Sequence, residues 1–284
     1  MPIDPSKALG FELGESQYTY TADDVILYHL GVGAGVPATD ANELEYTYEK
    51  NLKVLPSFGV IPTFGSMGGL GNVPGLDFNF AMLLHGEQAL EIHRPIPSEA
   101  TITNRGKVAE IWDKGKAALV VMQVDTTDEK GEPLFTNRFS LFLRGEGGFG
   151  GESGPKAGNV APDRDPDGVI ETTTLPQQAL LYRLSGDKNP LHADPEFAKM
   201  AGFDTPIIHG LCSYGVVCKA VVDAALGGDV TKVAGYEARF AGVGFPGETY
   251  LISYWNEDGK ILIAAQSKDR GAPIISNAAI TVRS

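Results

Sequence analysis

The sequence predicts an α+β fold made of two similar halves, each a curved antiparallel sheet wrapped on one helix. Three observations support this: alternating segments rich in Val, Ile, Phe and Thr, short sequences that recur in the same order, and a composition break between the two sets. The break is residues 145–168, which are mostly Gly, Pro and charged residues. We therefore expect an N-terminal half at 1–150, a linker at 151–168 and a C-terminal half at 169–284.

The first half should begin with an extended lead-in over residues 1–20, followed by a helix from about Ala22 to Leu30. That helix is indicated by the Thr/Asp cap and the apolar run of TADDVILYHLGVGAG. The apolar part of ELEYTYEKNLKVLPSFGVIPTFGS predicts a second helix, and FAMLLHGEQALEIHRPIP turns from a loop into a strand. Alternation predicts three further strands, at 101–112, 116–127 and 134–144.

The second half should contain a helix near 176–184, a polar loop, a short helix and a long helix. Asp194 followed by Pro195 is typical of a capped helix start, so the short helix should run from Pro195 to about Ala201. The long apolar helix should occupy about 210–226. Strands are expected after it, near 235–240, 248–256, 260–267 and 273–283.

Four pairs of similar sequences occur in the same order in both halves. LYHLGVG at 27–33 matches LYRLSGD at 181–187, His85-Gly86 matches His209-Gly210, Trp112 parallels Trp255, and KGEPLFTN at 130–137 parallels RGAPIISN at 270–277. We interpret the halves as copies of one unit, because chance explains four pairs in register much less well than one. The first copy reads GVGAGV at 31–36, without Asp, Asn or His, so only one chemically competent site per chain is expected.

The charge balance argues against two classes of partner. The chain of 284 residues has a net charge of −13 and a pI near 4.8, whereas nucleic acid and anionic membrane surfaces both require a basic face. Cys212 and Cys218 are too far apart along one helix for a disulfide, so buried reduced thiols are expected. The sequence shows no run of about 20 apolar residues and no secretory signal, which predicts a cytoplasmic protein. A peroxisomal location is expected only if the chain is part of a larger eukaryotic protein.

The loop after the first helix of the second half is the strongest candidate for a catalytic site. Asp187, Asn189 and His192 fall within six positions. Gly186 and Pro190 lie among them, so the segment is a loop that can direct polar side chains to one point. An Asp and a His that share a water molecule form an acid–base pair, because His titrates near neutral pH.

The start of the long helix, near Gly210, would complete such a site. A helix N-terminus presents free N–H groups and the positive end of the helix dipole, which can hold a developing oxyanion. Glycine allows a substrate carbonyl to approach the backbone closely. His209, just before it, is expected to make a hydrogen bond at the helix terminus instead of reacting. Loop and helix start together suit the addition of water to, or its removal from, a double bond activated by a carbonyl.

Three other kinds of site fail on their context. A metal held by Asp187, His192 and Asp194 lacks a third nitrogen or sulfur ligand at usable spacing, so no metal is expected. The glycines of 145–150 match a dinucleotide-binding pattern, but linker composition follows them in place of a helix. Ser185 lacks the G-x-S-x-G setting of a hydrolase nucleophile.

YRLSGDKNPLHADPEFAKMAGF, followed by PIIHGLCSYG, strongly resembles the enoyl-CoA hydratase 2 family, which is MaoC-like and includes the hydratase part of peroxisomal multifunctional enzyme type 2. The resemblance continues through LGVGAG, LLHGEQ, WDKGKA, FSLFLRGEGGFGG and ARFAGVGFPGE and so covers nearly the whole chain. It implies a double hot-dog fold, a (2E)-enoyl-CoA substrate and a (3R)-3-hydroxyacyl-CoA product. The CoA thioester is the substrate, and no cofactor is expected.

The resemblance also implies roles for individual residues. Asp187 and His192 would be the catalytic pair, and Asn189 would orient the water or the substrate. The Gly210 N–H would bind the thioester oxygen. Contacts with the CoA ester are implied for His85, Gly86, Lys114, Lys188 and Phe240. The first half is then expected to shape an acyl-chain pocket, wide enough for bulky groups because segment 65–75 is rich in glycine.

Several alternatives stay open at the level of sequence. A hot-dog thioesterase would release free CoA, and a non-catalytic acyl-CoA carrier would leave the enoyl conjugation intact. The same site could also run as a (3R)-hydroxyacyl dehydratase in acyl-chain synthesis. The sequence decides neither the acyl group, nor which of Asp187 and His192 is the base, nor whether the chain is a monomer or a homodimer.

Overall fold

The computed structural model describes residues 3–156 and 158–283, which form a ten-stranded antiparallel sheet with helices packed against it. The strands are β1 (Glu12–Tyr20), β2 (Leu83–Ile92), β3 (Ala100–Asp113), β4 (Ala117–Thr127), β5 (Pro133–Arg144), β6 (Gly168–Thr173), β7 (Val233–Phe240), β8 (Thr249–Glu257), β9 (Lys260–Ser267) and β10 (Pro273–Val282). The α-helices are α1 (Pro5–Ala8), α2 (Ala22–Gly31), α3 (Ala41–Thr47), α4 (Gln178–Tyr182), α5 (Pro195–Met200) and α6 (Gly210–Leu226). None of these helices is long and apolar enough to cross a membrane.

The order of the strands shows the same unit twice. Outward from the central pair, β2-β5-β4-β3-β1 corresponds strand for strand to β7-β10-β9-β8-β6. This is the predicted double hot-dog arrangement. The two predicted sheets are continuous with each other, because β2 and β7 pair from Glu87 opposite Arg239 to Glu91 opposite Gly235 and join the halves.

Only the second half carries a long helix among the described residues. α6 has 17 residues and is buried along most of its length. The second helix expected in the first half is wrong: beyond the short α3, the chain forms 3-10 helices at Pro56–Val60 and Phe64–Asn72. Pro56 removes a backbone donor and the repeated glycines of 65–71 disfavour a regular helix, so this segment follows the sheet in short turns.

Most other elements lie where the sequence predicted them. Helices α2, α5 and α6 and the strands β3 to β5 and β7 to β10 begin or end within about two residues of the expected bounds. The two outermost strands, β1 and β6, were not predicted as strands. Every side chain of β6 is exposed or half-buried, so hydrophobic alternation gives little signal there. Both cysteines are free and buried, as expected.

One of the four repeat pairs is wrong. His85 and Gly86 lie on β2, whose counterpart is β7, whereas His209 and Gly210 stand at the start of α6. The other three pairs occupy corresponding elements; Trp112, for example, lies on β3 and Trp255 on its counterpart β8. The two sites share only the dipeptide His-Gly, without similar flanking residues, and a dipeptide is too short to identify corresponding elements.

Candidate active site

Asp187, His192 and His209 come together at the N-terminus of α6. The carboxylate oxygen and the two imidazole nitrogens that could act as ligands all lie within 4.8 Å of one another. The loop between α4 and α5 brings the first two residues there. Gly186 opens the loop with φ of 139°, a conformation that favours glycine, and a 3-10 turn at Pro190–His192 closes it.

His192 is oriented by a main-chain carbonyl. Its Nδ1 lies 2.9 Å from the oxygen of Ile207. Because a carbonyl only accepts, this nitrogen carries the hydrogen, and Nε2 of the neutral ring keeps its lone pair. Burial lowers the pKa of His192, and the Ile207 carbonyl and the Asp187 carboxylate oppose that shift. A neutral ring with a free Nε2 can accept a proton from water near neutral pH.

Asp187 is half-buried, and both its side chain and its main chain are tied down. Its Oδ1 accepts a hydrogen bond of 3.0 Å from the Asn189 N–H. Its main-chain carbonyl accepts one of 3.2 Å from His209 Nε2. The carboxylate keeps a second oxygen for a water molecule or a substrate, because only Oδ1 is used by the loop in the described structure.

Asn189 and Lys188 lie on the exposed side of the same loop. The Asn189 Oδ1 accepts a hydrogen bond of 3.0 Å from the Leu191 N–H, so this side chain caps the 3-10 turn that carries His192. Asn189 therefore shapes the loop, and its direct contact with water or substrate stays a prediction. The same holds for a substrate contact of Lys188.

His209 was predicted to bond at the helix terminus, and the structure adds a ring stack. Its imidazole lies on that of His192, with ring centroids 3.7 Å apart. The residue is 1% exposed, and burial lowers the pKa of His209 to about 3, with a further contribution from the neighbouring His192. A neutral His209 thus contacts both catalytic candidates, and sequence alone gave no signal for the stack.

Gly210, Phe240, His85 and Gly86 meet beside this cluster although they come from α6, β7 and β2. A Cβ at Gly210 would lie 3.3 Å from the Phe240 ring, and that ring lies 5.0 Å from the ring of His85. A Cβ at Gly86 would lie 2.4 Å from Phe142. A Cβ at Gly86 would therefore clash with the Phe142 ring, whereas a Cβ at Gly210 would need the Phe240 ring to shift by only a few tenths of an ångström.

Lys114 lies in the turn between β3 and β4, and its ammonium group donates to the carbonyl of Ser153 in the linker. It lines a groove together with Phe142 and Arg239.

Asp194, one of the three metal ligands considered from the sequence, lies outside the cluster. It caps α5 by accepting hydrogen bonds from the N–H groups of Glu196 and Phe197. His209 supplies a third potential ligand atom beside Asp187 and His192, although the sequence had offered no third nitrogen at usable spacing. The expectation that no metal binds there stays a prediction.

Two family models match the chain in succession. The model described as "MFE-2 hydratase 2 N-terminal domain" matches residues 18–145, and the "MaoC like domain" matches residues 157–277. The enoyl-CoA hydratase ChsH3 of Mycobacterium tuberculosis is 46% identical, over 93% of this chain and 93% of that protein. The chain belongs to the MaoC-like enoyl-CoA hydratase 2 family. The peroxisomal enoyl-CoA hydratase 2 of Arabidopsis thaliana is 42% identical, over 94% of this chain and 92% of its own length.

A solved structure supports the fold of this hydratase 2 family member. The MaoC-like dehydratase of Phytophthora capsici has a TM-score of 0.88 and 36% identity, covering 99% of both chains. The family resemblance deduced from the sequence motifs is therefore confirmed. The likeness includes both hot-dog halves.

Proposed function

We propose that this chain catalyses the reversible hydration of (2E)-enoyl-CoA to (3R)-3-hydroxyacyl-CoA, in the β-oxidation of fatty acids or steroid side chains. The observation that carries the proposal is the placement of the Asp187 carboxylate and the His192 imidazole within 4.8 Å of each other at the start of α6. The names of the two relatives, both enoyl-CoA hydratases, support it.

The N-terminus of α6 activates the substrate. The first N–H groups of a helix have no partner within the helix, and His209 as N-cap makes no side-chain cap bond. The thioester oxygen accepts from the Gly210 N–H, which stabilises the negative charge that this oxygen gains when C3 is attacked. The helix dipole adds to this stabilisation.

The catalytic pair holds one water molecule between the Asp187 carboxylate and His192 Nε2. The water oxygen bonds to C3, the double bond shifts toward the thioester to form an enolate, and the pair takes up the proton that the water loses. The enolate then collapses: C2 takes a proton from the pair on the same face, and the thioester carbonyl re-forms. The two groups therefore act on one shared proton.

The first half takes the acyl chain in this proposal. It carries no counterpart of the acid–base loop, and its glycine-rich 3-10 segment covers an apolar cluster that includes Leu70, Met122 and Phe139. A cavity of about 620 Å³ lies at the end of this segment, between Gly71, Val73 and Leu76 on one side and residues of α1 on the other. Equally poor turnover of short and very bulky enoyl-CoA esters would argue against this role.

The direction of the reaction in the cell is a second question. The Phytophthora neighbour is called a dehydratase, and one site catalyses both directions, so the dehydratase alternative uses the same residues. The cytoplasmic location stays a prediction from sequence.

Product analysis tests the function. Purified protein and a panel of enoyl-CoA thioesters are expected to show loss of the enoyl absorbance and formation of the (3R)-alcohol on chiral analysis. Release of free CoA, detected with a thiol reagent, would identify a thioesterase instead. Binding without any change in the enoyl absorbance would identify a carrier.

A further inference from the structure

The segment LGVGAG contains the end of helix α2 in the first half and takes no part in the proposed chemistry. Helix α2 packs on α4, the helix that leads into the catalytic loop. Gly31, the last residue of α2, is buried at this contact. A Cβ at position 31 would lie 3.0 Å from the Cα of Tyr182, the last residue of α4. A side chain there would therefore require the Tyr182 main chain to move by a few tenths of an ångström.

Gln178, the first residue of α4, binds the end of α2 and is fully buried. Its Nε2 donates to the Gly31 carbonyl at 2.6 Å and to the Leu30 carbonyl at 3.3 Å. Its Oε1 accepts a hydrogen bond of 2.9 Å from the Leu175 N–H, just before α4. The last carbonyls of a helix have no partner within that helix. Gln178 therefore completes the end of α2 and ties α4 to it.

Cys212, in the first turn of α6, contacts the same carbonyl. Its Sγ donates to the Gly31 oxygen at 3.4 Å, and the side chain is fully buried. A thiol is a weak donor, but the contact places the start of α6 against the end of α2. Gly31 thus contacts both elements that carry the site, because α4 leads to Asp187 and α6 begins at Gly210.

Tyr182 links this contact to the catalytic groups in two ways. Its ring is 1% exposed and lies 4.9 Å from the ring of His209, which stacks on His192. Along the chain, one 3-10 turn at Arg183–Ser185 and Gly186 separate Tyr182 from Asp187. A displacement of Tyr182 would therefore reach the imidazoles through the ring and the carboxylate through the loop.

We propose that Gly31, in the half that lacks the acid–base loop, is a positioning residue for the active site of the other half. It sets the separation between the catalytic loop and the start of α6, and Gln178 acts with it by holding α4 on the Gly31 carbonyl. Gly31 acts through Tyr182 and does not itself touch the substrate. This inference rests on the proposed function and gives the first half a role in catalysis besides holding the acyl chain.

The substitution Gly31→Ala tests the proposal, and Gly59→Ala is the matched control. Gly59 is also a buried glycine of the first half, and its Cβ would lie 3.2 Å from the end of the Ile96 side chain instead of a main chain. Since a misplacement of about 1 Å can cost about 10²-fold, a shift of a few tenths should lower kcat by roughly 3- to 10-fold in Gly31→Ala, with KM kept. Gly59→Ala should keep the wild-type kcat.

Gln178→Met is a second variant, which removes the amide and leaves the length of the side chain almost unchanged. It should also lower kcat with KM kept, because the Gly31 carbonyl then has only the thiol as a donor. In an Asp187→Asn background neither change should lower kcat much further, since the carboxylate to be positioned is already lost. Loss by the same factor in both backgrounds would indicate damage to the fold and overturn the proposal. Wild-type kcat in both Gly31→Ala and Gln178→Met would also overturn it.

NMR spectra of the histidine imidazoles provide a measurement that needs no turnover. The signals of His192 and His209 should move in Gly31→Ala, whereas the signal of the exposed His93 should stay in place. Unmoved signals of His192 and His209 would contradict the positioning role. If the wild-type protein hydrates no enoyl thioester, the proposed function fails, and the spectra still decide whether Gly31 positions these two rings.

Discussion

The imidazole rings of His192 and His209 stack with their centroids 3.7 Å apart and their planes inclined by 29°. His209 also donates to the main-chain carbonyl of Asp187. A single buried residue therefore contacts the side chain of one member of the catalytic pair and the backbone of the other. This makes His209 a positioning residue: it stays neutral and holds the His192 ring and the Asp187 backbone in place.

Separating the two contacts of His209 should show what each contributes. His209→Phe keeps a ring on His192 but loses the donor to Asp187, and His209→Gln keeps a donor but loses the ring. Each is expected to lower kcat by roughly 10- to 100-fold with little change in KM, because small misplacements of catalytic groups slow the chemical step. Steady-state kinetics checks this.

The pH profile distinguishes positioning from general damage to the fold. The ring of His209 helps to exclude water from His192, so His209→Gln should move the acid limb of kcat/KM to higher pH as the pKa of His192 returns toward 6.5. An unmoved acid limb with the same loss of kcat would show that His209 acts only on the fold.

A proline at position 210 should remove the backbone N–H with little other change to the helix start. His209 has φ of −57° and ψ of 138°, which suits a residue before proline, and proline is favoured at the first position of a helix. Gly210→Pro should lower kcat by about 10²- to 10³-fold more than Gly210→Ala, because both add a Cβ against Phe240 but only proline lacks the N–H. Equal kinetics of the two variants would remove the oxyanion role from this group.

Gly215 should reverse the usual effect of Gly→Ala in a helix. Alanine is favoured by about 1 kcal/mol in a helix interior. Here a Cβ would lie 2.5 Å from the Val32 side chain and 2.7 Å from the Tyr28 hydroxyl, where α6 packs on the end of α2. Gly215→Ala is therefore expected to lower the free energy of unfolding by about 1–3 kcal/mol, as measured by urea denaturation. A more stable variant would mean that this contact can relax.

Two fully buried histidines predict that stability falls in acid. Burial lowers the pKa of His29 to about 4 and that of His209 to about 3, whereas the unfolded chain keeps values near 6.5. Between these values the unfolded state binds more protons, so the free energy of unfolding should decrease as pH falls from about 7 to 4. Urea denaturation across this range checks the slope. His29→Gln should reduce it, because the substitution removes one of the two buried imidazoles.

The sequence predicted the site better than it predicted the first half. Asp187, His192 and Gly210 belong to short local patterns of loop, cap and helix start. The backbone geometry of such patterns is determined mainly by residues that are close in sequence. The missing helix of the first half depends on Pro56 and on scattered glycines competing with an apolar pattern that looks helical. In that segment the low helix propensity of Pro and Gly outweighed the apolar periodicity.

Contacts across the fold were beyond the sequence. The stack of His209 on His192 joins residues 17 positions apart in the chain, and the contact of the His85 ring with that of Phe240 joins strands of different halves. No local pattern encodes either contact. The match of His85-Gly86 with His209-Gly210 was wrong for a related reason: a dipeptide alone does not determine whether it lies in a strand or at the start of a helix.

The most direct test of the central claim is the turnover of Asp187→Asn, His192→Gln and the double variant. Each single change should lower kcat by about 10²- to 10⁴-fold, with CoA binding kept. The double variant should be nearly as active as the weaker single variant, because both groups act on one water molecule. Near-wild-type turnover in both single variants would contradict the account.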